Sequence, residues 1–234
     1  MRKLVERFNK GTLAWHFHTG YLANTWPEEP IEVGKTFKVS GRVKLCDNGL
    51  HASLGPWNAL NYHMGPFVSR VRLEGTIIYD AYRKDLASKC CATKRTVLWQ
   101  ADCTDATTRL GLDVLQHGIV YCQDKGISLP KVLQQASVDG YRVLAGLSRM
   151  YDRNAVIEEL RQQLRDAEGY QLQYMLYLAF TLQNKQLHAS RESYVNVLID
   201  SIHNLSPLVG LSRGSLNDMF TNILMRLAPE DYSE

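Results

Sequence analysis

The hydrophobic pattern of this 234-residue chain changes near residue 104, and that change constrains the fold more than any other feature. Before it, apolar residues occur in short β-like runs that turn-forming residues interrupt. After it, they recur at helical spacing. Residues 1–104 therefore predict strands and residues 105–234 predict helices. Segregated strands and helices indicate an α+β chain, and we expect two domains that divide after residue 104.

The clearest strand is residues 67–73, where Val71 and Leu73 lie on one face and Arg70 and Arg72 on the other. Gly75 follows and predicts a bulge or a bend. A short helix is expected at residues 55–63. Further strands are predicted at 13–18, 36–40, 42–46, 50–53, 76–80 and 95–101. Longer helices are predicted at 105–121, 128–147, 152–167, 170–182, 192–204 and 215–227.

Composition excludes several classes of protein. No apolar run approaches the roughly 18–20 residues that a membrane-spanning helix needs. The N-terminal segment lacks the apolar region of a secretory signal, so we expect a cytoplasmic protein with no membrane partner. The five cysteines include no paired metal-binding spacing, which predicts buried reduced thiols and no metal site.

Charge is distributed unevenly, although the net charge is only +3. Residues 1–104 carry 15 Lys/Arg and 9 Asp/Glu, whereas the rest of the chain is slightly acidic. The densest basic stretch, residues 83–95, has two interpretations: a solvated loop, or a rim that binds phosphate. Nucleic-acid binding through this stretch ranks last among the functions considered, because the net charge is small.

Two histidine motifs are candidate sites. His16 and His18 alternate with aromatic residues, so a strand would place both on one face, as an incomplete metal site or as solvated edge residues. His51 and Ser53 follow the Asp47-Asn48-Gly49 turn and precede a helix start. That position suits either an anion site or a structural turn with a hydrogen-bonded histidine.

Several motifs occur in order between residues 45 and 105 and resemble an uncharacterised family from phage, prophage and bacterial genomes. The resemblance implies relatives with a helical tail, but it implies no reaction. The motifs are Leu-Cys-x-x-Gly-Leu-His-Ala-Ser at 45–53, Ala-Leu-x-Tyr at 59–62, Gly-Pro at 65–66, Arg-Val-x-Leu-x-Gly at 70–75, Arg-Thr-Val-Leu-Trp at 95–99 and Ala-Asp-x-Thr at 101–104.

A more distant resemblance links the Trp15-His16 strand and the Gly-Leu-His-Ala-Ser motif to ADP-ribosyltransferases of the diphtheria-toxin and PARP type. It implies NAD as cofactor and a split sheet as the fold. By position, His16 would bind the NAD ribose and His51 would replace the aromatic residue that faces nicotinamide. The glutamate of that family falls near Lys94, and Gln100 is the nearest polar substitute.

The resemblance therefore implies three catalytic residues, His16, His51 and Gln100. It also implies five residues that bind the cofactor: His18, Ser53, Tyr62, Lys94 and Arg95. The expected function is NAD binding, or transfer of ADP-ribose to a host target. The alternative is a non-enzymatic phage accessory protein whose helical half binds a protein partner. The oligomeric state stays open.

Overall fold

The computed structural model of the chain describes residues 3–22, 28–62, 65–126, 175, 178–179 and 190–232. The chain is α+β, as predicted, with a strand-rich N-terminal half and helices in the C-terminal half. It divides into two compact units. The first contains Met1–Thr104 together with Arg213–Glu234, and the second contains Asp105–Ser212. The C-terminal segment 213–234 thus packs with the strand-rich unit, which differs from the predicted division after residue 104.

A five-stranded antiparallel sheet forms the body of the first unit. Strand β4 pairs with β1 on one side and with β5 on the other, and the outer edge of β5 pairs with both β2 and β3. The elements are β1 Val5–His18, β2 Thr36–Lys38, β3 Leu50–Ala52, helix α1 Pro56–Leu60, β4 Phe67–Tyr79 and β5 Cys90–Asp102.

The sheet curls until its two edges meet. Trp15 of β1 and Ser53, just after β3, exchange two backbone hydrogen bonds of 2.7 and 3.0 Å. The order of pairing β1–β4–β5–β3 therefore returns to β1. Alternation in β1 directs Ala14 into the apolar core inside the curl and Phe17 outward, where its ring stacks on Phe220 at 6.1 Å. The faces predicted for β1 are confirmed.

The strand expected at residues 42–46 is wrong, because Lys44 and Asn48 exchange backbone hydrogen bonds and close a tight turn there. The Asn48 amide holds this turn by donating to the backbone carbonyls of Ser40 and Arg42. The bulge at Gly75 is confirmed: this residue has a φ of +80°, and β4 continues through it instead of ending.

Within the described residues, the long helices of the C-terminal half are α2 Thr104–Asp124, α3 Arg191–Leu208 and α4 Arg213–Leu224. Ser190 caps α3, since its hydroxyl accepts the backbone N–H of Ser193 at 3.0 Å. The helices predicted at 128–147, 152–167 and most of 170–182 lie outside the described residues. In the part of the chain that is described, no helix has the length and apolar character to cross a membrane.

Candidate functional site

A cleft of about 490 Å³ opens at the place where the curled sheet closes on itself. All of its lining residues belong to the first unit. Its wall includes six residues that carry chemistry: His16 from β1, His51 and Ser53 from β3 and its end, Tyr62 after α1, and Lys89 and Arg95 from the region of β5. Strands that are distant in sequence thus bring five of the eight predicted site residues to one cleft.

His16 faces the inside of the curl and stacks on His18, with ring centroids 5.2 Å apart. Its Nδ1 atom is buried and has no hydrogen-bond partner among the described residues. Burial lowers the pKa of His16 well below its usual value, and the positive charge of Arg95 lowers it further. His16 is therefore a neutral imidazole at physiological pH, with one ring nitrogen free for a ligand.

His18 has a structural role, and it does not line the cleft. Its Nδ1 accepts the backbone N–H of Gly20 at 3.0 Å, so Nε2 carries the proton and donates to Ser69 Oγ at 2.7 Å. The side chain is buried, and burial together with the charge of Arg95 lowers the pKa of His18 to about 4. Both ring nitrogens are thus used within the protein.

His51 lines the cleft, but its nitrogens hold the preceding turn. Nε2 accepts the backbone N–H of Cys46 at 3.0 Å, and the ring also makes a hydrogen bond to the backbone of Gly49. Burial lowers the pKa of His51, the charges of Lys89 and Arg95 lower it further, and the bond to Gly49 opposes them. The ring is neutral and fixed in orientation, so it suits a wall that packs against a ligand better than a proton donor.

Arg95 is buried in the wall of the cleft, with 2% of its surface exposed. Its Nη1 donates to the backbone carbonyl of His51 at 2.8 Å, and the guanidinium carbon lies 5.8 Å from the centre of the Phe37 ring. Nε and Nη2 are buried without a partner among the described residues. The sequence of the basic stretch 83–95 allows two interpretations, a solvated loop or a rim that binds phosphate. The burial of Arg95 excludes the solvated loop at this position.

Of the remaining predicted residues, two lie outside the cleft and one lies at its mouth. Lys94 lies outside the cleft and forms an ion pair with Glu74 at 2.8 Å. Gln100 is exposed and lies five residues beyond Arg95 on β5, roughly 16 Å along the strand at the usual rise per residue. Tyr62 stands at the mouth of the cleft, 49% exposed, with its hydroxyl 3.3 Å from Ser88 Oγ.

Sequence reasoning missed Cys46 at the mouth of the cleft, and it included Lys89 only as part of the basic stretch 83–95. Lys89 Nζ lies 3.4 Å from Cys46 Sγ and 4.6 Å from the centre of the Tyr62 ring. The prediction of buried thiols is confirmed for four cysteines and wrong for Cys46, which is exposed. Cys46 also has a φ of +64°, and it is the one described residue other than glycine with a positive φ. The turn-forming residues that follow Cys46 predict positive φ angles, but they predict them at Asn48 and Gly49 and not at Cys46.

The cleft is basic, because its wall contains the charged side chains of Lys89 and Arg95 beside two neutral histidines. Asp47 is the one carboxylate in its described lining, and an ion pair of 2.7 Å to Lys44 neutralises it. Across the described part of the chain, no cluster of three or more His, Cys, Asp or Glu side chains could hold a metal ion. The wall of the cleft contains guanidinium N–H donors that have no partner among the described residues and are shielded from water in this structure, and an imidazole ring with a fixed orientation.

The part of the chain that matches a known family model includes most of the cleft. Residues 25–109 match a family described as a domain of unknown function, DUF7666. This range contains the motifs at 45–105 that resemble an uncharacterised family, and it includes the cleft residues from Val39 to Arg95 but not strand β1. No curated protein and no solved structure matches the chain.

Proposed function

We propose that the first unit binds NAD or a closely related nucleotide in the cleft, on a scaffold that resembles an ADP-ribosyltransferase. The observation that supports this is the convergence of His16, His51 and Ser53 on one cleft. The resemblance assigns these three residues to the NAD ribose, the nicotinamide ring and a supporting contact. His16 lies on β1, whereas His51 and Ser53 lie on β3 and at its end. More than 30 residues separate the two strands, so local sequence does not bring these side chains together.

The state of each histidine fits this role. A residue that packs against nicotinamide needs a fixed aromatic face, and both hydrogen bonds of the His51 ring fix it without using that face. A residue that binds ribose needs a free polar atom, and His16 Nδ1 has no partner among the described residues. A neutral imidazole can donate to or accept from a hydroxyl according to its tautomer.

We propose binding and not transfer of ADP-ribose. Transfer develops positive charge on the ribose, and a carboxylate in the pocket is the usual means of stabilising it. Asp47 is the one carboxylate in the described wall, and Lys44 already neutralises it. Gln100, the expected substitute, does not line the cleft. Incubation with NAD should therefore release no nicotinamide above the level of a buffer control, and clear release would contradict this part of the proposal.

Thermal denaturation of the full chain with and without NAD tests the binding. A ligand at 100 times its dissociation constant adds about 2.7 kcal/mol of stability, which corresponds to a shift of roughly 5–10 °C for a chain of this size. The variant His16→Ala should reduce the shift, and the control His117→Ala should keep it, because His117 is exposed on α2 in the second unit. No shift at millimolar NAD would overturn the proposal.

A phage or prophage origin, a host target and a protein partner for the helical half stay predictions. The described residues of the second unit do not bear on any of them.

A further inference from the structure

The first unit contains a buried positive charge without a counter-ion. Arg95 uses one of its three guanidinium nitrogens, which donates to the His51 carbonyl, and the other two have no acceptor among the described residues. Charged side chains are almost never fully buried unless they are paired, because removing a charge from water is costly. No carboxylate of the described residues forms an ion pair with Arg95.

The acidic residues near this region are engaged elsewhere. Glu74 forms an ion pair with Lys94, and Asp47 forms one with Lys44. At the positions of the first unit outside the described residues, the sequence has a single acidic residue, Glu234. The positive charge of Arg95 acts on its neighbours, since it lowers the pKa of both His16 and His51. The cleft therefore has a positive potential that no described carboxylate neutralises.

Other groups in the wall complement the guanidinium. His16 Nδ1 is buried and free, and the neutral ring can turn this nitrogen into a donor by changing its tautomer. Lys89 adds a second positive charge at the mouth, next to Tyr62. A guanidinium presents its N–H groups in a planar fork that matches two oxygens of a phosphate. The volume of the cleft, about 490 Å³, exceeds the needs of an inorganic ion and leaves room for an attached organic group.

We propose that the cleft is a phosphate-binding site in which Arg95 is the principal anion-binding residue and His16 a second donor, so that its ligand is a phosphate ester or a pyrophosphate. This inference rests on the proposed function in one respect: it names the pyrophosphate as the part of NAD that Arg95 holds. The two free nitrogens are shielded from water, so binding includes a small movement of the wall that admits the phosphate oxygens.

The test compares ligands that share or lack the phosphate. The full chain is titrated calorimetrically, at constant ionic strength, with inorganic phosphate, pyrophosphate, ADP-ribose, NAD and nicotinamide riboside. Pyrophosphate and ADP-ribose should bind, nicotinamide riboside should not, and pyrophosphate should compete with ADP-ribose. Binding of inorganic phosphate as tight as that of ADP-ribose would identify a simple ion as the ligand and would contradict the ester.

The affinity of variants for ADP-ribose then tests whether Arg95 binds the phosphate. Arg95→Met should weaken ADP-ribose at least tenfold, and Arg95→Lys should weaken it less, because the charge remains without the fork. The control Arg72→Met should leave the affinity unchanged, since Arg72 is exposed on β4. In the wild-type chain, the Nε–H resonance of Arg95 should shift on addition of pyrophosphate, which gives a readout that does not depend on the folding of a variant.

The outcomes separate this inference from the proposed function. If NAD binds equally well to the wild type and to Arg95→Met, the phosphate site is wrong and NAD binding stands. If pyrophosphate and ADP-ribose bind through Arg95 but NAD does not, the phosphate site stands and the assignment to NAD is wrong. If no phosphate compound binds, both are wrong.

Discussion

Replacement of Arg95 by methionine should stabilise the protein in the absence of ligand, by about 1 kcal/mol. Burial lowers the pKa of Arg95 to about 10, between two and three pKa units below its ordinary value. At about 1.4 kcal/mol per pKa unit, the folded state holds this charge at a cost of roughly 3 kcal/mol. The variant removes that cost and keeps a long, unbranched side chain in the same space.

Two favourable contacts are lost in exchange. The hydrogen bond from Nη1 to the His51 carbonyl is charge-assisted and contributes about 1.5 kcal/mol. The contact with the Phe37 ring contributes about 0.5–1 kcal/mol, part of which a methionine sulfur recovers. The balance is a net gain of roughly 1 kcal/mol.

Urea unfolding followed by tryptophan fluorescence measures this, because Trp15 and Trp99 are buried in the same unit and contact each other. The control Arg72→Met should stay within about 0.5 kcal/mol of the wild type. Had Arg95 a structural counter-ion, its removal would cost about 3–5 kcal/mol by leaving the partner charge buried. A loss of more than about 2 kcal/mol, or a variant that does not fold, would therefore refute the reasoning.

Three further predictions concern the same unit. For His18, the folded pKa is about 4 and the unfolded value is 6.5, so its stabilising contribution is complete above pH 6.5 and is lost as the pH falls towards 4. Urea unfolding at pH 7.5 and 4.5 should show His18→Gln losing less stability on acidification, by roughly 2–3 kcal/mol, and an equal loss would contradict the pKa. Gly65→Ala should destabilise by about 2 kcal/mol or more, since a Cβ there would lie 2.7 Å from the backbone oxygen of residue 18; Gly34→Ala, with nothing within 4 Å, should cost about 1 kcal/mol. Ellman's reagent should modify Cys46 quickly in the native protein and the four buried thiols only after unfolding; two fast thiols would contradict the structure.

Local pattern predicted much of this unit. Period-two alternation is a property of the strand itself, so the two faces of β1 followed directly from Ala14, His16 and Phe17. The bulge at Gly75 also has a local cause, the positive φ that glycine tolerates. The residues Asp47-Asn48-Gly49 predict the turn before β3, but the turn begins earlier, at Lys44, within the predicted strand 42–46.

The composition of the cleft could not be predicted in the same way. It forms because Trp15 pairs with Ser53 when the sheet curls, and no local pattern specifies a contact between residues 38 positions apart. The same curl decides which basic residue is buried. Lys94 and Arg95 are neighbours in the sequence, but alternation in β5 places one against Glu74 outside the cleft and the other inside it. Gln100 does not line the cleft, because its position along β5 is too far from the place where the edges meet.

Arg95 is a charged side chain buried beside apolar residues, and this mismatch is the strongest physical argument for a ligand. The apolar cluster inside the curl includes Phe37, Leu73 and Val97, and an apolar side chain at position 95 would pack among them without an energetic cost. Where a local choice opposes the rest of a fold, the site is expected to be functional or strained. A residue that serves only packing would, when replaced, reduce stability and ligand binding together. A residue that holds an anion would, when replaced, raise the stability of the free protein and weaken the ligand. Measuring unfolding and binding on the same Arg95→Met sample therefore distinguishes the two roles by sign, independently of how large either effect is.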